Sequence, residues 1–350
     1  MRFYRVQPQQ QYFCGIDLHT QKMYLCVLDQ NGTIVLHKNI RTRPEAFLKA
    51  VAPFREGLVV ASECIFCWYW LADLCQREGI DFILGHALYM RAIHGGKTKN
   101  DKLDAEKIAL LLRGSMLPQA YVYPQQKRAT RDLLRRRSYL VRMRADLLGH
   151  VQLTRHQYNL PAFNKRITNK ANRAGVAERF SDEVVQTNVG LDLGLIDYLH
   201  DEIRRLELYL VGQAKVHDQQ AFYLLRSVPG IGKVLALTML YEVNDIDRFK
   251  RVQQFCSYAR LVKGQKVSAG KRLGSMGAKM GNRHLKWAFS EATVLFLRES
   301  DRAKAYLARL ESKHGKGKAL SILSAKLGRA VYFMLLRKQP FDQERFFAQS

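Results

Sequence analysis

The stretch Tyr12–Ile40, YFCGIDLHTQKMYLCVLDQNGTIVLHKNI, reads as three β-strands, and that reading decides the fold class. YFCGIDLHT is apolar and ends in polar residues, MYLCVLD alternates, and Asn31-Gly32 is a strong hairpin turn leading into TIVLHKNI. A helical stretch, PEAFLKAVAPF, follows. LVVASE is then a short apolar strand ending at Glu63, CIFCWYWLADLCQREG a helix closed by Gly79, and FILGHA a fifth strand. Three hairpin-type strands followed by strand–helix alternation is the order of an RNase H-like mixed sheet with helices. The expected class is α/β followed by α.

From Gln125 to about Leu160 the chain reads as one long helix, stopped by Pro161. Leu133, Leu140 and Leu147 recur at heptad spacing, with Leu134, Val141 and Leu148 beside them. A second seam runs Ile196, Leu199, Ile203, Leu206, Leu210. Two such stripes predict an antiparallel coiled-coil arm or a dimerisation stalk, with Asn164 to Gly190 as a loop or short helices between them. The last third predicts helix, Gly turn, helix (AFYLLRSV-PGIG-KVLALTMLYEV), then a Gly- and Lys-rich stretch and two apolar helices. The expected division is an acidic-site domain over 1–122, an arm over 123–218 and a mainly helical domain over 219–350.

The chain has 350 residues, with 57 Lys and Arg against 31 Asp and Glu and a net charge of +26. A surplus of this size signals nucleic acid, with anionic membrane as the rival. No apolar run approaches the roughly 18 residues of a spanning helix, and no secretory segment follows Met1. The expectation is a soluble, intracellular protein without a membrane partner. The six cysteines, Cys14, Cys26, Cys64, Cys67, Cys75 and Cys256, are spread over apolar segments as reduced thiols would be. Cys64-x-x-Cys67 lacks the second half-site zinc requires, and the pair is expected on the apolar face of a helix.

Four acids stand out against this basic background. Asp17 lies at the end of the first strand and Glu63 at the end of a strand that would pair beside it. Asp101 and Asp104 share one face at the start of the helix DKLDAEKIALLL. Carboxylates gathered this way repel one another unless a divalent ion lies between them, and two Mg²⁺ ions about 3.5–4 Å apart could clamp a scissile phosphate. The bland alternative is a capping box at Asp101-x-x-Asp104 and solvated strand ends at Asp17 and Glu63.

Three basic features accompany the acids. Pro229-Gly230-Ile231-Gly232, with Lys233 beside it, resembles a helix-hairpin-helix turn whose backbone N–H groups grip phosphate; the alternative is an ordinary turn between core helices. Lys263, Lys266, Lys271, Arg272, Lys279, Arg283 and Lys286 share a stretch without acids, broken by Gly264, Gly270, Gly274, Gly277 and Gly281. A flexible loop of this kind could bring Ser268 or Ser275 to a phosphate, or simply clamp a nucleic-acid backbone. The arm's first helix carries Lys127, Arg128, Arg131, Arg135, Arg136, Arg137, Arg142 and Arg144 against Asp132, a charge excess suited to a phosphate backbone. Tyr139, His150, His156 and Tyr158 could stack on unpaired bases, or belong to the core.

The segments GIDLHTQKMYLCVLD, VVASE, KTKNDKLDAEKIALLL, SVPGIGKVLALTMLYEV and KVSAGKRLGSMGAKMGNRHLKWAFSEA resemble the DEDD transposases of insertion sequences, the "one-ten" family with its "eleven-eleven" subgroup. The resemblance implies a RuvC-like domain joined through a coiled coil to a serine transposase domain. It places the four acids at Asp17, Glu63, Asp101 and Asp104, and the nucleophile at Ser268, with Ser275 as fallback. Arg260 departs from the family's usual Ala-Gly-Leu.

The resemblance also implies strand cleavage and rejoining through a phosphoserine link, with Mg²⁺ as cofactor and Mn²⁺ as a substitute. The implied partners are element-end and target DNA, a noncoding bridge RNA, and further copies of the chain in a dimer or tetramer. The implied location is the bacterial cytoplasm, at the nucleoid. The rival readings are a hydrolytic nuclease of Holliday-junction-resolvase type and a non-catalytic nucleic-acid-binding protein.

Overall fold

Strand alternation gives β1 (Tyr12–Leu18) two faces, one with Phe13, Gly15 and Asp17 and the other with Cys14, Ile16 and Leu18. The computed structural model describes residues 2–93, 100–276 and 280–348. In it β1 pairs antiparallel with β2 (Lys22–Leu28), which pairs antiparallel with β3 (Ile34–Arg41). On its other side β1 runs parallel to β4 (Leu58–Glu63), and β4 parallel to β5 (Asp81–Gly85). The order β3-β2-β1-β4-β5 is the mixed sheet the RNase H-like reading predicts.

Each face buries a separate core. Cys14, Ile16, Leu18, Leu25 and Val60 pack with Phe47 and Val51 of α1 (Pro44–Val51) and Leu71 and Leu74 of α2 (Tyr69–Arg77). Phe13, Cys26, Leu28, Val59 and Ala61 pack with Ala105, Ile108, Ala109 and Leu112 of a helix covering the opposite face. That helix is α4 (Asp101–Arg113), preceded by the short α3 (Ala87–Ile93). The CxxC pair is not on a helix: Cys64 and Cys67 lie in the turn before α2, because α2 begins only at Tyr69. There the Cys67 thiol donates to the Leu18 carbonyl at 3.7 Å.

The chain divides into two compact units, 1–125 and 126–350. The second begins with α5 (Gln125–Gln157) and α6 (Glu183–Arg226), which run antiparallel. Arg137 donates to Glu207, Arg144 meets His200, and His150 pairs with Asp192; each step along α5 is matched by a backward step along α6. Val151, Val189, Ile196 and Phe180 close the far end of the pair. The connection over 164–182 holds two short 3₁₀ turns, and helix resumes at Glu183, earlier than the sequence pattern suggests because Asp182 caps it through Val184 and Val185 N–H.

α7 (Lys233–Val243) is buried all round from Leu235 onward, which makes it the centre of the second core. Around it pack α8 (Val252–Tyr258), α9 (Arg283–Glu299), α10 (Asp301–His314), α11 (Lys316–Arg337) and α12 (Gln343–Ala348). The glycine-rich stretch is not a loop. It forms a two-stranded hairpin, β6 (Gly264–Ser268) with β7 (Lys271–Met276), turning through Ala269 and Gly270. Both turn residues have positive φ, 49° and 74°, the geometry a two-residue hairpin turn demands. By length and composition α11 is apolar enough to cross a membrane, contrary to the sequence expectation, but Leu323, Leu327 and Val331 are buried in the helical core.

Candidate active site

Gly15 decides how closely α4 can approach the sheet. A β-carbon at this position would stand 2.2 Å from the Ala105 carbonyl oxygen and 2.3 Å from the Ala109 nitrogen. Only glycine admits the helix backbone at that distance. From this contact the spacings match: two strand residues, about 6.6 Å, lead from Gly15 to Asp17. Four helical residues, about 6 Å, lead from Ala105 back to Asp101. Strand end and helix start therefore meet. Asn100 caps α4 by accepting from Lys102 N–H at 3.0 Å, so the first-turn aspartates are released from the capping role.

Asp17, His19 and Asp101 present ligand atoms all within 4.8 Å of one another, the group with metal-holding geometry among the described residues. His19 Nε2 lies 3.3 Å from Asp17 Oδ2 and 3.7 Å from Asp101 Oδ1. Burial raises the Asp17 carboxyl pKa; His19 opposes this, and the charges of Asp101 and Asp104 add to the rise. Asp104 is held by Lys107 Nζ at 3.1 Å. Glu63 stands one residue beyond the paired Ser62–Ile16 position, so alternation puts it on the α4 face beside Asp17. It is half-buried and outside the tight group. Burial also raises the Cys67 thiol pKa, a backbone hydrogen bond opposes this, and the Asp17 charge adds to the rise. The donor set of hard, mutually repelling carboxylates with one imidazole fits a divalent cation.

In the second unit Ser268 is exposed at the end of β6, directly across from exposed Lys271. Ser275 is paired with Gln265, farther from the turn, in a strand whose register shifts after Lys266. Arg272 lies in β7, and Lys279 falls outside the described residues. Arg283 opens α9 and is exposed.

The arginine stripe needs correction. Arg128 and Arg131 are buried, and Arg131 and Arg135 both donate to Glu242, itself 1% exposed. Arg137 is committed to Glu207. Arg131, Arg135 and Arg137 neutralise acids inside the unit, since a buried carboxylate without a partner would be far costlier. Of the predicted stripe, Arg136 is exposed, resting on Tyr139. Gly230 is also corrected: it is buried, and its N–H donates to Glu299 at 2.8 Å rather than standing open to a phosphate. Gly232 and Lys233, at the start of α7, are exposed. His150 is engaged by Asp192 at 2.5 Å.

Sequence reasoning missed three groups. His19 could have been found from its i, i+2 relation to Asp17 on one strand face. Glu242 was legible as a lone acid in the apolar run LALTMLYEV, opposite a surplus of arginines. Asn282 accepts from His284 and Leu285 N–H and donates to Glu242 at 2.7 Å, two tasks that only folding brings together.

Comparison with known proteins adds three findings. Residues 14–158 match the model of the DEDD transposase family, described as Transposase. Residues 223–308 match Transposase IS116/IS110/IS902 family. The transposase for insertion sequence element IS1111A of Coxiella burnetii (strain RSA 493 / Nine Mile phase I) is 24% identical over 349 residues, covering 93% of this chain and 90% of that protein.

Proposed function

This chain belongs to the IS116/IS110/IS902 family of insertion-sequence transposases, and on that premise we propose that it cuts and rejoins DNA through a serine-linked intermediate, with a divalent metal at its acidic site. The observation that carries the proposal is the convergence of Asp17 and Asp101 where α4 seats on Gly15. Asp17, Glu63, Asp101 and Asp104 would hold the metal. Mg²⁺, or Mn²⁺ in its place, would polarise a phosphate oxygen and offset the charge of the strand.

Ser268 Oγ attacks the phosphorus. The Oγ–P bond forms as the P–O bond to the departing strand breaks, and that oxygen takes a proton. Rejoining reverses the exchange, with a strand hydroxyl displacing the serine. The cross-strand position of Lys271 supports this role, since its cation would stabilise a forming alkoxide.

The partners we assign are element-end and target DNA and a noncoding bridge RNA, with base pairing choosing the sites and the protein reading backbone. A net charge of +26 supports such polyanion binding. Assembly of copies is supported by a second, outward seam on α6: Val184, Leu191, Leu195 and Tyr198 are all more than half exposed. Its near-heptad spacing suits helix pairing, for which the arm would act as a coiled coil.

The test is a strand-exchange assay with Ser268→Ala and Asp104→Asn. Both variants are expected to keep DNA binding while exchange falls by about 10⁴-fold, the scale seen when one of several interdependent groups is removed. Cleavage surviving in Ser268→Ala would instead favour a hydrolytic nuclease. Full exchange in Asp104→Asn would remove the acidic site from the mechanism.

A further inference from the structure

We propose that His19 is itself a ligand of the metal at the acidic site, giving a mixed imidazole–carboxylate centre with Asp17 and Asp101; this rests on the divalent-metal reading of that site. Three observations carry it. The first is position. His19 follows Asp17 by two residues at the end of β1, and its backbone is held on both sides: N–H donates to the Lys22 carbonyl at 3.2 Å, and the carbonyl accepts from Thr42 Oγ1 at 2.8 Å. The turn into β2 and the residue just past the end of β3 thus fix where the imidazole emerges.

The second is convergence. Nε2 sits 3.3 Å from Asp17 and 3.7 Å from Asp101, between an acid on the strand and an acid on the helix. Those distances let one ion of ordinary coordination length replace the direct contacts, with each of the three side chains giving one atom. The third is accessibility. The imidazole is 56% exposed and Asp101 59% exposed, so both can rotate onto an ion without disturbing a packed core. Asp104, paired with Lys107 at 3.1 Å, lies outside this tight group, whereas His19 belongs to it.

A nitrogen donor changes which ion the site prefers. Carboxylate and water oxygens suit Mg²⁺ and Mn²⁺ alike, whereas an imidazole nitrogen favours transition-metal ions, of which Mn²⁺ is the weakest binder in its row, over Mg²⁺. The full chain should therefore bind Mn²⁺ more tightly than Mg²⁺, and His19→Gln should reduce the Mn²⁺ advantage by about tenfold, the scale of removing one group that acts on a metal.

The deciding experiment is electron spin-echo spectroscopy of the full-length protein loaded with Mn²⁺, without nucleic acid. Directly bound imidazole nitrogen modulates the echo. The expected result is nitrogen modulation in the wild type and its disappearance in both His19→Gln and His19→Ala, with Mn²⁺ still bound. Bound Mn²⁺ without nitrogen modulation, or modulation that persists in both variants, would overturn the assignment and leave an all-carboxylate centre standing. If the wild type binds no Mn²⁺, or binds it equally well as Asp17→Asn, the acidic-site reading itself falls and this ligand with it.

Discussion

Glu242 is one acid in a helix otherwise built for the core, and it collects Arg131, Arg135 and Asn282 around a side chain 1% exposed. Burial pushes its carboxyl pKa upward, but the hydrogen bond from Arg135, the charges of Arg131 and Arg135 and the Asn282 amide outweigh this and hold it at about 2. His284, half-buried nearby, is pushed down to about 4 by burial and by the charges of Arg135, Arg283 and Arg131, against the pull of Glu242. Both groups bind protons more readily unfolded than folded, so stability falls with pH in two windows. The loss attributable to His284 runs from its ordinary 6.5 down to about 4. That of Glu242 begins near its ordinary 4.5 and continues to about 2. Urea unfolding across this range should show His284→Asn flattening the upper window alone. Glu242→Gln should cost about 3 kcal/mol at pH 7, because it strands two buried or half-buried guanidinium groups. An unchanged upper slope in His284→Asn would discount the histidine.

At the scale of elements, the acidic site is a consequence of how α4 sits on β1. The helix bears its acids at the first turn and small residues, Ala105 and Ala109, where it crosses the strand; the strand answers with Gly15. Gly15→Ala should force the helix outward and destabilise the unit by roughly 1–3 kcal/mol, the cost of overfilling a packed contact. Because Asp101 moves with the helix and Asp17 does not, Mn²⁺ affinity should fall by more than an overpacking substitution remote from the four acids brings about at equal stability loss. Isothermal titration with Mn²⁺ checks this. The strands and the α4 acids were legible in the sequence because period-two alternation and a capped helix start are local signals. The hairpin at 264–276 was not, since its glycines read equally well as a loop until the Ala269-Gly270 turn is seen to bring Ser268 opposite Lys271.

For the whole molecule the governing quantity is charge. With 57 cationic against 31 acidic residues, association with DNA should be driven largely by release of counterions. Should six to ten phosphates be engaged, affinity would fall by about 10³–10⁵-fold between 50 and 200 mM salt, and fluorescence anisotropy would show it as a straight line on logarithmic axes. A shallow line would mean that most of the surplus faces inward, as Arg131, Arg135 and Arg137 already do. Sequence by itself determined the five strands, the long helices, the net charge and which acids could gather, because each depends on residue type and near-neighbour spacing. Only the tertiary structure decided which cations are spent on Glu242 and Glu207, that the Gly230 N–H belongs to Glu299, and that His19 stands between Asp17 and Asp101. Those outcomes bring together groups from different elements, and for Glu242 the cost of burying a charge alone settles the pairing.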